Sequence, residues 1–282
     1  MTIRQAILQA AQQLEAAQVP DPRIDAELIL CHVTGMDRMN LLMSGAKELT
    51  EEQEQRFSSL LLSRARRTPV QYLLGTQVFY GREFQVDERV LIPRQETEEL
   101  CEYGLAFLKA LPHPSALDLC TGSGAIAVTL KCECPRAAVS ASDLSRDALT
   151  LAAQNAQLNR ADIAFHQGDL WQPLAGMTFD LILSNPPYIP TADCSELQQE
   201  VLQEPRMALD GGADGLDFYR RIAQGAPLHL NPGGLIAVEV GIHQAQDVAK
   251  LFRQAGLGHV SVRKDLYGIE RIVSARRSEA HV

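Results

Sequence analysis

The chain is 282 residues long, 46% hydrophobic and 22% charged, a composition that excludes a disordered or fibrous protein. That length accommodates one large core or two domains, one of about 100 and one of up to roughly 200 residues. A formal net charge of −9 repels phosphate backbones, so a nucleic-acid partner would need a local basic patch; none stands out, and no direct nucleic-acid partner is expected.

The first residues, "MTIRQAILQAAQQLEAAQ", lack the continuous apolar stretch of a secretory signal. No run in the chain approaches the ~18 apolar residues of a membrane span, so a cytoplasmic protein without membrane attachment is expected. Thr2 and Gln5 have capping-box spacing, and Ile3, Ile7, Ala10, Ala11 and Leu14 then share one helix face. Pro20, Asp21 and Pro22 break that helix. "RIDAELILCHVTG" restarts with Ile24, Leu28 and Cys31 on one side, and Gly35 supplies a stop. Thr50 and Gln53 repeat the capping box ahead of "EEQEQRFSSLLLSRARR". Residues 1–75 therefore read as a small all-α domain, with Arg64, Arg66 and Arg67 on a solvated helix face in preference to a docking patch.

In "VFYGREFQVDERVLI" the period changes to alternation around the turn-like "QVDER", which predicts a β-hairpin linker over residues 76–93. Residues 94–282 form the second domain. From Ser115 on, the β-rich runs "SALDL", "AVSASD", "DIAFHQ", "FDLILS", "GLIAVEV", "HVSVRK" and "RIVSAR" alternate with helical stretches such as "DALTLAAQNAQLN" and "HQAQDVAKLFRQAG". That rhythm predicts a Rossmann-like α/β domain, a parallel sheet wrapped by helices on both faces. The six cysteines (Cys31, Cys101, Cys120, Cys132, Cys134 and Cys194) have no paired C-x-x-C spacing, and the seven histidines show no ligand spacing. No disulfide framework and no metal site are expected.

"LDLCTGSGAIA" carries a strand directly into a helix. Gly122 and Gly124 let a ligand approach the backbone, and the helix N-terminus offers unpaired N–H groups. Asp143 ends the second strand about 20 residues further on, where a carboxylate can accept from both hydroxyls of a ribose; it can equally cap the helix near Ser145. Asp169 in "HQGDLW" closes the third strand. G-x-G-x-x-A at Gly122, Gly124 and Ala127 suits a nicotinamide dinucleotide as well as S-adenosylmethionine.

The fourth strand decides between them. "ILSNPPYIP" delivers Asn185 to the same edge, and Pro186 and Pro187 fix two φ angles and remove two backbone donors. The Asn185 side-chain oxygen and the Pro186 carbonyl can receive both hydrogens of a planar NH₂ group while Tyr188 packs on its conjugated face. Two such acceptors favour the pyramidal, positively charging nitrogen of a methyl-transfer transition state, and a nicotinamide enzyme has no use for them. Glu239 in "VEVG" ends the fifth strand as either a structural cap or a pocket residue.

These blocks resemble the N-methyltransferases that carry N-P-P-Y and, more narrowly, the bacterial peptide chain release factor glutamine methyltransferases. The resemblance covers nearly the whole chain: "TPVQYLLGTQVFYGREFQVDERVLIPRQETEEL", "LDLCTGSGAIA", "SNPPYIP", "EPRMALDGGADGLDFYRRI" and "LNPGGLIAVEVG". It implies a helical domain that docks the release factor, a hairpin linker and a seven-stranded catalytic domain. It also implies S-adenosylmethionine-dependent methylation of the glutamine side-chain amide in the Gly-Gly-Gln loop of peptide chain release factors, by a protein expected to be a monomer. By position, the cofactor loop falls on Cys120, Thr121, Gly122, Ser123 and Gly124, the ribose acid on Asp143, and the adenine neighbourhood on Asp169, Leu170 and Trp171. Asn185 adjoins the cofactor, and Asn185, Pro186, Pro187 and Tyr188 hold the substrate amide; Glu204, Pro205 and Arg206 order a loop around it. Cys120 stands where the family usually has glycine, which would narrow the loop or make it thiol-sensitive, and Gln95 stands in the usual "PRP". The rival readings are an adenine-amino or other nucleic-acid methyltransferase, which the acidic charge disfavours, and a non-enzymatic S-adenosylmethionine-binding assembly factor, which an intact Asn185 and Tyr188 disfavour.

Overall fold

A computed structural model describes residues 1–279. It contains two compact units: Met1–Thr76 together with Gln198–Gln203, and Gln77–Leu197 together with the chain from Glu204 onward. Among the described residues no helix is long and apolar enough to cross a membrane.

The first unit holds α1 (Ile3–Ala16), α2 (Pro22–Thr34), α3 (Arg38–Met43), α4 (Glu51–Ala65) and α5 (Val70–Leu74). Both capping boxes form in full, Thr2 with Gln5 and Thr50 with Gln53, and each N-cap hydroxyl stabilises its helix by about 1 kcal/mol. Ile3, Ile7, Leu14, Ile29, Leu30, Leu41, Phe57 and Leu61 make the core. The face of α2 differs from the expected one. Ala26, Ile29, Leu30 and Val33 are buried, whereas Ile24 is exposed and Leu28 and Cys31 only half-buried. The cause is two carboxylates on the inner side: Asp25 and Glu27 are buried with arginine partners, Glu27 with Arg23 at 3.0 Å and Arg38 at 2.8 Å. Apolar periodicity cannot register a face that buries paired charges.

The basic cluster also departs from its expected role. Arg64 is only 4% exposed, and it donates to Asp25 at 2.6 Å and to Glu200 at 2.8 Å. Arg67 grips the same Glu200 with two bonds of 2.7 and 2.6 Å, and only Arg66 faces solvent. Burial pushes the Glu200 carboxyl up, but the hydrogen bonds from Arg67 and Arg64 outweigh it and hold it down at about 2. Asp25 goes the other way, because its burial outweighs the single arginine contact.

The second unit opens with a hairpin of β1 (Thr76–Phe79) and β2 (Arg82–Gln85). Its turn is Tyr80–Gly81, at φ 50° and 71°, a pair of left-handed residues that matches the twist of two joined strands. "QVDER" follows the second strand and does not form the turn. Tyrosine is a poor left-handed residue, so the turn carried no usual signal. Phe79 and Phe84 meet edge to face at 6.0 Å within a core shared with Leu100 and Leu105.

The remaining elements are α6 (Glu96–Leu108), β3 (Ser115–Leu119), α7 (Ala125–Glu133), β4 (Ala138–Asp143), α8 (Arg146–Leu158), β5 (Ala164–Gln167), β6 (Phe179–Ser184), α9 (Asp217–His229), β7 (Leu230–Glu239), α10 (Ala245–Gln254), β8 (Gly258–Lys264) and β9 (Glu270–Arg276). One seven-stranded sheet runs in the order β5-β4-β3-β6-β7-β9-β8. Its first five strands are parallel, as the Rossmann-like rhythm predicts, and β9 is antiparallel to both β7 and β8. The link from Lys264 to Glu270 is too short for a crossover and allows only a hairpin. Alternate strand residues feed two cores: Ala116, Leu181 and Leu183 on one face, and Leu117, Ile182 and Ile236 on the other.

Replacing Arg64 with methionine removes the shared partner of Asp25 and Glu200 while keeping most of its volume. The loss should be about 3 kcal/mol, as for other broken buried ion pairs, whereas Arg66→Met should stay within roughly 0.5 kcal/mol. Urea midpoints of the two variants measure the difference.

Candidate active site

The chain reverses its direction across the sheet between β3 and β6, and ligands of open α/β sheets bind beyond the carboxyl ends of the strands at such a point. Leu119 pairs with Ser142 on one side and Ser184 on the other, and Ser184 pairs with Val238. The next residues along each strand, Cys120, Asp143, Asn185 and Glu239, therefore stand at one level along the carboxyl edge of the sheet. A cavity of about 420 Å³ opens over this edge, within the range of small-molecule sites. Cys120, Thr121, Gly122, Ser123, Asp143, Asp169, Leu170, Asn185 and Pro187 line it.

The glycine loop is built for close approach. Gly122 has φ 54°, and a Cβ there would meet nothing within 4 Å. Gly124, at φ 83°, caps α7, and a Cβ on it would lie 3.1 Å from Ala152, so its smallness serves helix packing. Asp143 accepts from the Gly122 N–H and the Ser145 N–H, both at 2.9 Å, and thereby ties the loop to the second strand. The cap of α8 is the Ser145 side chain, not Asp143. Burial pushes Asp143 up despite these bonds. Beneath the loop, fully buried Asp118 accepts from Thr121 and from the Ala127 N–H, and its Oδ1 has no partner among the described residues. Burial raises it to about 7.

The N-P-P-Y corner is enclosed by glycines whose purpose the spacing alone did not reveal. A Cβ on Gly211 would stand 2.7 Å from the Tyr188 Cα; one on Gly215 would stand 2.3 Å from the Tyr188 carbonyl oxygen. Their segment runs alongside the corner: the Ile189 N–H donates to the Leu209 carbonyl and the Gly211 N–H to the Ile189 carbonyl. Gln244 donates to the Tyr188 carbonyl at 2.8 Å and accepts from the Gly241 N–H. Asn185 donates through Nδ2 to Thr97 Oγ1 at 3.1 Å, and Thr97 donates to Glu239 at 2.6 Å. Glu239, equally open between cap and pocket in the sequence, is a buried hydrogen-bond acceptor behind the corner and does not line the cavity. Its burial, partly opposed by Thr97, raises it to about 7.

Residues 5–75 match the family described as the PrmC N-terminal domain, and residues 104–216 match the methyltransferase small domain. A release factor glutamine methyltransferase of Geobacter sulfurreducens is 44% identical over 98% of this chain and 96% of its own length. Its counterpart in Deinococcus radiodurans is 42% identical over 99% of each. The chain belongs to the release factor glutamine methyltransferases. A crystal structure of a methyltransferase from Pyrococcus furiosus, covering 71% of this chain and 91% of its own at a TM-score of 0.53 and 18% identity, shares the fold.

Several residues of the chain lie elsewhere than expected. Trp171 does not line the cavity: its ring stacks on His229 at 4.6 Å, its Nε1 donates to the Arg221 carbonyl, and it lies against Gly225, where a Cβ would clash at 2.3 Å. It packs the sheet edge against α9. Pro186 and Tyr188 also lie outside the lining, as does Gly124. Arg221, which pairs with Asp169 at 2.7 Å, and Phe218 do line the cavity, although nothing in their spacing marked them. Cys120 sits at φ 64°, a conformation natural to the family's usual glycine and costly for a residue with a Cβ. Burial, reinforced by Asp143 and Asp118, pushes its thiol up, which lowers the thiolate fraction of this cavity-lining residue. Glu204 accepts from the Ile92 N–H at 2.9 Å and pairs with Arg94, which also borders the cavity.

Gly211→Ala should push the Tyr188 backbone outward, costing about 1–3 kcal/mol of stability and most of the activity; thermal melts and turnover read both. For Glu239, the folded pKa lies above the ordinary 4.5, so its stabilisation is full below pH 4.5 and is lost as pH rises through about 7. Glu239→Gln should therefore flatten a decline in stability between pH 5 and 8 by as much as about 3 kcal/mol, read by denaturation at each pH.

Proposed function

We propose that this chain binds S-adenosylmethionine in the cavity and methylates the glutamine side-chain amide in the Gly-Gly-Gln loop of peptide chain release factors in the cytoplasm. The observation that carries the reading is Asn185, at the cavity wall with its Nδ2 engaged by Thr97 and its Oδ1 free of protein donors among the described residues. The residues suit the cofactor. The open space over Gly122 is where a Cβ would otherwise intrude, and the cavity volume matches a nucleoside with a short side chain. In this reading Cys120–Gly124 face the methionine portion, Asp143 accepts from the ribose hydroxyls, and Asp169 and Leu170 border the adenine.

Bound there, the sulfonium supplies an electrophilic methyl group. The chain supplies orientation. Asn185 Oδ1 and the Pro186 carbonyl accept the two hydrogens of the target NH₂, holding its nitrogen in line and favouring it as it becomes pyramidal and positive. Tyr188, next to the lining residue Pro187 but outside the cavity lining itself, is proposed to flank the amide from the cavity's rim; burial, reinforced by Glu239, raises its phenol to about 12, so it stays neutral. No base is needed before transfer, because the proton leaves afterwards. The helical unit is proposed to receive the release factor, a role supported by the exposed Met39, Leu42 and Met43 on α3.

Labelled S-adenosylmethionine mixed with release factor, with a variant lacking the loop glutamine, and with DNA and RNA tests the reading. Label should enter only the intact release factor, and calorimetry should show heat with S-adenosylmethionine and none with NAD. Asn185→Ala should lower kcat by roughly 10²- to 10³-fold with little change in cofactor affinity. Parental methylation by that variant, or labelled nucleic acid, would refute the assignment.

A further inference from the structure

A side-chain amide has two ends of similar shape, and only one of them serves the proposed transfer. With Oδ1 toward the target, Asn185 accepts from the NH₂ group; with Nδ2 there, two donors would face each other. The strand and the two prolines fix where Asn185 stands but leave the amide free to turn about its last torsion. What decides the orientation lies on two other elements.

Glu239, the last residue of β7, is 3% exposed, and Thr97, on the first turn of α6, is 5% exposed. Their oxygens are 2.6 Å apart. Thr97 Oγ1 donates to Glu239 Oε2, and a hydroxyl has one proton to give, so that proton is committed to Glu239. Toward Asn185 the hydroxyl then has only lone pairs to offer, and at 3.1 Å it takes the Nδ2 end. The opposite end of the amide is turned away from Thr97. We infer that Thr97, its proton held by Glu239, is a positioning residue that sets the Asn185 amide with its oxygen toward the target nitrogen.

The inference rests on the proposed role of Asn185, and a double-mutant cycle separates the two. Thr97→Val keeps the shape and removes the hydroxyl. It should lower kcat for release factor roughly 10- to 100-fold, the scale of a misdirected group at a reacting centre. KM and the calorimetric affinity for S-adenosylhomocysteine should change by no more than about twofold. Thr97→Ser restores the hydroxyl and should recover most of the loss. In an Asn185→Ala background, Thr97→Val should have no further effect, since there is no amide left to orient; a residue that merely holds the fold would cost the same in either background. Should Thr97→Val fail to fold, Glu239→Gln serves instead, because an amide there can donate to Thr97 and release its proton toward Asn185. That variant should show the same kcat-only loss and the same silence beside Asn185→Ala. A parental kcat in Thr97→Val while Asn185→Ala is impaired, or losses that add in the double variant, would overturn the positioning role alone. A parental Asn185→Ala would overturn the reading beneath it as well.

Discussion

Leu119 is paired in register with Ser142 and with Ser184, and Ser184 with Val238. Everything at the cavity depends on that ladder. Because parallel strands run the same way, residues that leave it at one level emerge on one edge, and the chain reversal between β3 and β6 opens a gap there that no crossover helix fills. A slip of one residue in β6 would turn Ile182 out of its core and carry Asn185 away from the glycine loop together. Hydrophobic burial on both faces, with Ala116 and Leu183 on one side and Leu117 and Ile182 on the other, therefore enforces the geometry of polar residues that make none of that burial themselves.

Closeness is the second requirement. Prolines at 186 and 187 stiffen the corner along the chain, but they do not hold it against the sheet. That is done from outside, by Gly211 and Gly215 meeting the Tyr188 backbone where any side chain would collide, and by Gln244 at its carbonyl. At the glycine loop the two glycines divide the work: Gly124 lets α7 and α8 approach, while Gly122 keeps the cavity floor open. The glycines and prolines thus act as a pair of complementary devices, one removing bulk and the other removing freedom.

The α/β class, the glycine loop, Asp143 and the N-P-P-Y corner were legible because each is written in contiguous residues with a fixed offset from a strand end. What escaped was written across distance. Arg64 and Arg67 looked solvated because their partner, Glu200, is more than a hundred residues away. Thr97 was one polar residue among several in "QETEEL", and only the fold brings it to Asn185 and Glu239. Trp171 adjoins two cavity residues in sequence, yet the turn after β5 sends its ring to His229 and α9. Tyr80 carries a left-handed turn that its identity does not advertise, so the hairpin was recognised and its turn misplaced.

Buried charge is handled in two ways here, and the contrast follows the two kinds of task. In the helical unit, Asp25 and Glu200 converge on arginines, whose hydrogen bonds outweigh desolvation at Glu200 but not at Asp25 and whose loss would leave uncompensated charge. Near the cavity, Asp118 and Glu239 each rise to about 7 with, among the described residues, only hydroxyl and backbone donors within hydrogen-bonding reach. An arginine bound directly to Glu239 would ionise it more firmly, but it would also compete for the carboxylate oxygen that holds the Thr97 proton. Arg271 and Arg94 act on Glu239 through space and favour its charge without occupying that oxygen. A carboxylate left incompletely compensated is a weak contributor to stability and a strong acceptor, and acceptor strength is what an orienting hydrogen bond behind an amide requires.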